Sequence, residues 1–318
     1  MNECLPDFVR RSTVIDLGST DRRLRRAVSE GDLVRVVPGT FVSRDAWAQA
    51  DGMGQHRLRV LATAERIGAD VIFSHRAAAA IWGIRMLSPW PDTVDVTVEP
   101  ASGGRSSGRI RRHCRDLASV EVVEHQGMLV TSPAQTAVDL ARQLGFADAV
   151  ACIDSGLHRR RKGGRLAMRE EVLERVSVAE GARGWRRARV AAGFSTDRSD
   201  SVEESHSRVQ IHLLGFPRPV LQLPFSDHEG QIGEVDFAWP EFAHVGEFDG
   251  ASKYLDESLR EGRTVEQVVL EEKRRENRIR RQVRAFSRWE ARDLYPPTRM
   301  HRILSEAGLP SGRPRRLT

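Results

Sequence analysis

QIGEVDFAWPEFAHVGEFDGASKY, residues 231–254, predicts two short strands joined by a tight connection. Apolar residues alternate with polar or small ones from Val235 to Trp239, which is the period of a strand buried on one face. Pro240 ends this strand because proline has no N–H to donate to a neighbouring strand. The chain resumes as a second strand over residues 243–249. We therefore predict a hairpin, and its polar face bears most directly on function.

Three carboxylates cluster on the predicted hairpin. Glu247 and Asp249 are two residues apart on the second strand, so both point to the same face, and Asp236 can lie close to them when the strands pair. Clustered carboxylates repel one another, and a fold tolerates them most easily when a cation lies between them. All-oxygen ligands suit Mg²⁺ or Mn²⁺, so Asp236, Glu247 and Asp249 are candidate ligands for such an ion. Lys253 follows, in a chain where only three of the 50 basic residues are lysine.

The order Asp, then Glu-x-Asp, then Lys resembles the core of the PD-(D/E)xK, restriction-endonuclease-like superfamily, and is most similar to its Vsr-like branch. The opening helix and first strand of that branch resemble the segment that begins at residue 201, SVEESHSRVQIHLLGFPRPVLQLPF. Its arginine-rich helix resembles the segment that begins at residue 271, EEKRRENRIRR. The resemblance implies hydrolysis of a DNA phosphodiester with a bound Mg²⁺ or Mn²⁺. It implies catalytic roles for four residues, namely Glu204, Asp236, Glu247 and Lys253.

Alternatives to this hydrolytic interpretation are visible in the same segments. Ser201-x-x-Glu204 is also a capping box, in which Glu204 serves the start of a helix. The clustered acids also fit the solvated face of a sheet. Asp249 stands where most of the superfamily has lysine, so the same fold could also be one that has lost its activity. The last domain would then serve in homodimerisation or in binding a partner.

Composition favours a polyanionic partner. The chain has 318 residues, a formal charge of +6 and a sequence pI of about 9.8, although a genome rich in arginine codons would give the same balance. Cys4, Cys114 and Cys152 have no metal-type spacing and predict no disulfide framework. No long apolar run is present, and the start of the chain lacks the order of a signal peptide, so we expect a cytoplasmic protein that does not enter the membrane.

Residues 1–50 predict a small winged helix-turn-helix. A helix from Asp21 to Glu30 is capped by Ser19 or Thr20, and Gly31 ends it. Two short strands follow, over residues 33–37 and 40–42, and form the predicted wing. Arginines that could contact DNA phosphates and base edges lie on the helix and the wing, and these are Arg22, Arg23, Arg25, Arg26 and Arg35. The alternative is a solvated helix face beside a hairpin.

The segment STDRRLRRAVSEGDLVRVVPGTFVS, residues 19–43, resembles the N-terminal domain of AbiEi-family antitoxins. FSHRAAAAIWGI, VDVTV and VTSPAQTAVDLAR, between residues 73 and 142, resemble the central part of the same proteins. The resemblance implies binding of double-stranded DNA and a cognate toxin of the nucleotidyltransferase type. A regulator of this kind is therefore the second functional hypothesis beside a nuclease.

These features together predict an α+β fold with three domains and a tail. The domains are a winged helix-turn-helix over residues 1–50, a small α/β domain with a helical linker over 55–194, and a restriction-endonuclease-like domain over 201–295, with a mixed sheet flanked by helices. Residues 296–318 are predicted as a tail. On the arginine-rich helix of the last domain, Arg274 and Arg278 are further candidates for contact with DNA.

Overall fold

The computed structural model describes residues 7–16, 20–67, 71–100, 106, 108–250 and 264–315. It confirms the predicted α+β class, with three separate sheets and helices between them. The chain divides into two compact units. Unit 1 consists of residues 1–144 and 166–189, and unit 2 of residues 145–165 and 190–318. In the described parts of the chain, no helix combines the length and apolar character needed to cross a bilayer.

The strands and helices are as follows, in chain order. The strands are β1 Val9–Arg10, β2 Leu33–Val37, β3 Thr40–Ser43, β4 Ile72–Phe73, β5 Val94–Val98, β6 Ile110–Cys114, β7 Val122–His125, β8 Met128–Thr131, β9 Val220–Asp227, β10 Gly230–Trp239, β11 His244–Phe248 and β12 Ala285–Trp289. The helices are α1 Arg11–Asp16, α2 Asp21–Glu30, α3 Arg44–Gln49, α4 Gly52–Ile67, α5 His75–Trp82, α6 Pro133–Ala141, α7 Phe146–Leu157, α8 Arg169–Val178, α9 Trp185–Phe194, α10 Val202–Leu213, α11 Val265–Arg280, α12 Ala291–Leu294 and α13 Pro297–Glu306.

The start of unit 1 forms a three-stranded sheet of order β1-β3-β2 beside α1 and α2. Thr20 caps α2 by accepting a hydrogen bond from the Arg23 N–H, and Gly31 ends the helix in the left-handed conformation with φ +89°. β2 and β3 pair antiparallel. The predicted helix and both predicted strands of this segment are therefore confirmed.

A mixed five-stranded sheet of order β6-β5-β4-β8-β7 forms the rest of the β structure of unit 1. Its apolar side chains belong to a core that also contains residues of α4 and α5. Members of this core are Val60, Ala77, Ile81, Phe73, Val94, Val96 and Val130. Ser132 caps α6 by accepting from the Gln135 N–H, and Pro133 takes the first helical position.

Unit 2 contains a four-stranded mixed sheet of order β12-β11-β10-β9. β10 pairs antiparallel with both β9 and β11, which confirms the predicted hairpin, and β12 runs parallel to β11. Two separate apolar clusters contain residues of this sheet. One joins Phe237, Trp239 and Trp289 to helical residues that include Ile211, Met300 and Leu304. The other joins Ala238 and Val245 to Ile279 of α11.

The last helix extends unit 2 beyond the predicted boundary at residue 295. α13 covers Pro297–Glu306, within the stretch that the sequence predicted as a tail. Met300 and Leu304 on this helix are fully buried in the same cluster as Trp289. The tail prediction therefore does not hold for α13, because its i, i+4 apolar pair completes the core of the unit.

Candidate functional site

The three hairpin carboxylates line one cavity of unit 2, with a volume of about 790 Å³. The paired part of the hairpin ends at Phe237 and Gly246, and Asp236 and Glu247 are the next residues on their strands. Asp249 follows just past the end of β11. The lining also includes Arg160, Asp200, Gln222, Gln231, Glu234, Phe248, Val268, Glu271, Glu272, Arg275 and Arg288. The structure thus brings together the acids that the sequence predicted as a group.

Asp236 is held at the place where the hairpin ladder ends. Its Oδ2 accepts a hydrogen bond of 2.9 Å from the backbone N–H of Phe248. Its Oδ1 lies 3.5 Å from the amide nitrogen of Gln222 on β9. The carboxylate therefore takes the backbone donor that a continued strand would have used, which fixes its orientation toward β11.

Glu247 is buried, with 7% of its surface exposed, and two guanidinium groups bind its carboxylate. Arg275 on α11 places Nη2 2.9 Å from Oε1. Arg288 on β12 places Nη2 3.3 Å from Oε2. Both carboxylate oxygens are therefore paired with a cation, which offsets the desolvation of a buried charge.

Arg288 connects several acids to one another. It lies beside Glu247 in the parallel register of β11 and β12. Its guanidinium also approaches Asp249 at 3.6 Å, Glu272 at 3.2 Å and Glu276 at 3.2 Å. Burial alone would lower the pKa of Arg288, but the attraction of the surrounding carboxylates exceeds that effect and raises it. The Arg288 guanidinium is therefore charged throughout the ordinary pH range.

Glu204 joins the site from the first turn of α10. Its N–H donates to the Ser201 side chain at 3.1 Å, and its Oε2 accepts from the Asp200 N–H at 3.0 Å. The same oxygen accepts from the Gln222 amide at 3.2 Å. Glu204 thus serves the helix start and also lies beside the hairpin acids. Burial and the charge of Asp236 raise the pKa of Glu204 to about 8.

Gln222 links the two acids through an unusual backbone conformation. It lies on β9 opposite Asp236, between the paired positions Leu221 and Leu223. Its φ is +51°, a left-handed value that is uncommon for a residue with a side chain. The residue is buried, and its amide reaches both Glu204 and Asp236. Backbone strain of this kind persists where the surrounding structure requires it.

The predicted metal ligands have the right chemistry for Mg²⁺ but not the right arrangement. Carboxylate oxygens are the donors that this ion prefers. Within residues 7–250 and 264–315, apart from the short gaps, no group of three or more His, Cys, Asp or Glu side chains has a geometry that could hold a metal ion. The two oxygens of Glu247 face guanidinium groups. As the side chains stand, this set does not fit a divalent ion, and Lys253 lies outside the described residues.

A basic surface lies in unit 1, on the helix and hairpin predicted to bind DNA. Leu24 of α2 is buried, whereas the arginines around it are exposed, namely Arg22, Arg23, Arg25 and Arg26. Arg35 is exposed on β2. Arg25 and Arg35 line a groove of about 360 Å³ that is also bordered by Leu24, Gly39 and Phe41. The structure therefore places two of the five predicted arginines at one groove.

The two arginines predicted on the last domain differ in their surroundings. Arg274 is exposed on α11. Arg278 donates from Nε to Asp227 Oδ2 at 2.8 Å, its Nη2 also contacts Asp227, and its Nε lies 3.5 Å from Glu229. Arg278 is thus held by acids at the β9–β10 turn, and a role of either arginine in DNA contact stays a prediction.

Sequence reasoning missed the arginines that line the cavity around Asp236, Glu247 and Asp249, which we call the acid pocket. Arg160 contacts Glu234 and approaches Asp200 at 3.3 Å, while Arg275 and Arg288 bind Glu247. Gln222 was missed as well. A strand-register argument could have placed Arg288 beside Glu247, but no local pattern distinguishes these arginines from the many others in the chain.

Comparison with known proteins matches the middle of the chain to a family. Residues 72–191 match the family described as the AbiEi antitoxin C-terminal domain. The AbiEi resemblance predicted for the central region is thereby confirmed over this range. The AbiEi-like N-terminus and the Vsr-like C-terminal segment stay predictions.

Two Mycobacterium tuberculosis proteins are similar over most of their length. They are uncharacterized protein Rv2248 of strain ATCC 25618 / H37Rv and uncharacterized protein MT2308 of strain CDC 1551 / Oshkosh. Each is 30% identical over 277 residues, which cover 81% of this chain and 93% of the relative.

A solved structure, that of the RV2827C protein from the same organism, is 16% identical with a TM-score of 0.34. The match covers 64% of this chain and 75% of that one.

Because of the 30% identity over 81% of its length, the chain belongs to the same family as the M. tuberculosis proteins Rv2248 and MT2308, and it contains a region that matches the AbiEi antitoxin C-terminal domain.

Proposed function

We propose that this protein is a DNA-binding regulator of the antitoxin type. Its winged helix-turn-helix would bind double-stranded DNA, and its AbiEi-matching region would bind a cognate toxin of the nucleotidyltransferase type. The observation that carries the DNA-binding part is the exposure of four arginines on α2 around an inward-facing Leu24. The match of residues 72–191 supports the antitoxin part.

The geometry of α2 suits the major groove of a duplex. A helix of 10 residues is about 15 Å long, and the groove admits one α-helix. Burial of Leu24 turns the other side of the helix outward, where the arginines can reach phosphates and base edges. Arg22 and Arg25 are exposed and form no salt bridge with any described acid, so their charges are available to a polyanion.

The β2–β3 hairpin supplies the neighbouring contact surface. Its turn at Pro38 and Gly39 is exposed or partly exposed, and Arg35 lies on the strand that leads into it. Arg35 and Arg25 border the same groove. A backbone phosphate seated between the helix and the wing would therefore meet guanidinium groups from both elements.

The DNA-binding part is tested with the full chain and a fluorescent duplex taken from upstream of its own reading frame. Replacement of both Arg22 and Arg25 by alanine is expected to weaken binding about tenfold or more at fixed salt, because two phosphate contacts are lost. The matched control is Arg299→Ala with Arg302→Ala, a pair of exposed arginines three residues apart on α13. Equal affinities for all three proteins would reject this docking mode.

The antitoxin part is tested by co-expression with the protein encoded by the adjoining reading frame. We expect that protein alone to arrest growth and the pair to grow normally. Growth arrest that this chain fails to relieve, or an adjoining protein without toxicity, would reject an antitoxin role while leaving DNA binding untouched.

A second candidate is hydrolysis of a DNA phosphodiester at the acid pocket. It is favoured by the gathering of Asp236, Glu247 and Asp249 in one cavity with Glu204 nearby. This candidate, unlike the regulator, predicts that supercoiled DNA incubated with Mg²⁺ or Mn²⁺ is nicked by the wild type and spared by Asp236→Ala and Glu247→Ala. Equal inertness of the three proteins would reject hydrolysis and leave the regulator.

A further inference from the structure

The carboxylate of Glu247 is bound on both oxygens by arginines from two different elements of unit 2. Arg275 reaches Oε1 from α11, and Arg288 reaches Oε2 from β12. Arg275 also donates to the backbone carbonyl of Glu234 on β10, so its guanidinium is held from two sides. These contacts define an arginine clamp, which consists of Arg275 and Arg288.

Arg288 occupies a central place among the acids. It is paired in register with Glu247, and it lies within 3.6 Å of Asp249 and 3.2 Å of both Glu272 and Glu276. Four carboxylates therefore share one guanidinium. A divalent ion performs the same task where several acids of one site need compensation.

We infer that the arginine clamp takes the place of a divalent cation in the acid pocket and compensates its charge from within the chain. Two guanidinium groups carry the same formal charge as one Mg²⁺ or Mn²⁺, and arginine stays protonated throughout the ordinary pH range. An ion brought to Glu247 would have to displace at least one guanidinium and would be repelled by the other.

The pocket therefore has weak affinity for divalent ions in the wild type. The carboxylates could serve as ligands only after the clamp is removed. This inference does not rest on the proposed DNA-binding function, which involves residues of unit 1. It bears instead on the hydrolytic candidate, because a pocket closed to metal offers no ion to the phosphodiester.

The first test is titration of the full chain with Mn²⁺ at pH 7.5. Binding is measured as the loss of the EPR signal of the free ion. We expect the wild type to bind Mn²⁺ in this pocket no more tightly than about millimolar. The double variant Arg275→Gln, Arg288→Gln should bind at least tenfold more tightly, and adding Glu247→Gln to it should abolish the gain. The control is Arg278→Gln, on the same helix but paired with Asp227, which should bind as the wild type does.

Two results would overturn the inference. One is a wild-type affinity tighter than about 100 μM that disappears in Glu247→Gln, since a compensated pocket should not bind so well. The other is a folded double variant that binds no better than the wild type, since the acids would then not form a latent ion site.

Stability provides a readout that does not involve metal. The double variant should have a lower unfolding midpoint than the wild type, because Glu247 is left buried without a partner. The triple variant with Glu247→Gln should recover most of that loss, because a neutral amide needs no cation. If the triple variant is no more stable than the double one, charge compensation is not what the clamp provides.

Discussion

At the scale of single residues, the carboxyl groups in and beside the acid pocket have different neighbours. Glu247 lies beside two guanidinium groups, whereas Glu204 lies beside Asp236 and the Gln222 amide. A cation stabilises the charged form of a carboxyl, and burial beside a like charge stabilises the neutral form. Glu204, which lies beside the pocket, therefore has a pKa raised to about 8, so its charge changes near neutral pH.

The raised pKa of Glu204 makes stability depend on pH in a definite direction. Its value is about 8 in the folded chain, against 4.5 for an unperturbed glutamate. Because the folded pKa is the higher one, the stability from the neutral form is complete below pH 4.5 and is lost as pH rises through 8. Between pH 5 and 9, the wild type should lose on the order of 4 kcal/mol relative to Glu204→Gln, because each unit of pKa difference contributes about 1.4 kcal/mol. Thermal unfolding of both proteins across this range checks the slope, and parallel curves would contradict it.

Asp154 is a second residue whose partners predict a large effect. It is buried on α7 and accepts hydrogen bonds from the Thr196 N–H at 2.7 Å, the Ser205 hydroxyl at 2.8 Å and the Arg208 guanidinium at 2.5 Å. Asp154→Ala should cost about 3–5 kcal/mol, because it leaves Arg208 buried without a counter-charge. Urea denaturation measures this cost. The exposed Asp32→Asn should stay within about 0.5 kcal/mol of the wild type, and a similar small loss in Asp154→Ala would show that Arg208 finds other compensation.

At the scale of elements, the hairpin depends on a glycine beneath an indole ring. A Cβ on Gly246 would lie 2.5 Å from the Cη2 atom of Trp289, which is fully buried on the parallel neighbour β12. Because this ring is enclosed by the core, it cannot easily move aside.

Gly246→Ala is accordingly expected to destabilise the chain by about 1–3 kcal/mol through overpacking. Gly193→Ala is the matched control, since no neighbouring atom lies within 4 Å of its added Cβ and its backbone is helical. The control should be neutral or stabilising by up to about 1 kcal/mol. Equal unfolding midpoints for the two variants would show that Trp289 yields to the new methyl group.

The sequence predicts best those elements that have a capping residue at the start and a terminating residue at the end. α2 runs from Asp21 to Glu30 as predicted, because Thr20 supplies a side-chain cap and Gly31 a left-handed stop. α7, at Phe146–Leu157, was not predicted. It begins after Gly145 without a side-chain cap, and most of its residues are buried, so it shows no clear polar face.

The site was predictable only where its members are close in sequence. Asp236, Glu247 and Asp249 follow from the hairpin alone, because strand periodicity and pairing place them together. Arg275 and Arg288 come from outside the hairpin, and the contacts of such side chains depend on packing that no local pattern encodes. Lys253 lies outside the described residues, so its role stays a prediction.

At the scale of the whole molecule, the predicted DNA-binding arginines of α2 belong to unit 1 and the acid pocket belongs to unit 2. α2 of unit 1 carries four exposed arginines. The acid pocket of unit 2 is lined by seven carboxylates and three arginines, among the residues that the structure describes. A DNA phosphate would therefore be attracted to the first surface and repelled by the second.

This separation predicts that the acid pocket does not contribute to DNA affinity. Glu247→Gln should leave the dissociation constant for duplex DNA within about twofold of the wild type in the absence of divalent ions, because the charge of Glu247 is already paired with two arginines of its own unit. Fluorescence anisotropy with a labelled duplex measures it. A loss of affinity of tenfold or more would place the pocket in the DNA interface and contradict the separation.

We infer that α2 binds DNA through its arginines, and the salt dependence of affinity is the sharpest test of this claim. The slope of log affinity against log salt concentration should decrease in magnitude by about 1.8 in the Arg22→Ala, Arg25→Ala double variant, since each lost phosphate contact contributes about 0.9. The Arg299→Ala, Arg302→Ala control should keep the wild-type slope. An identical slope in all three proteins would contradict the claim.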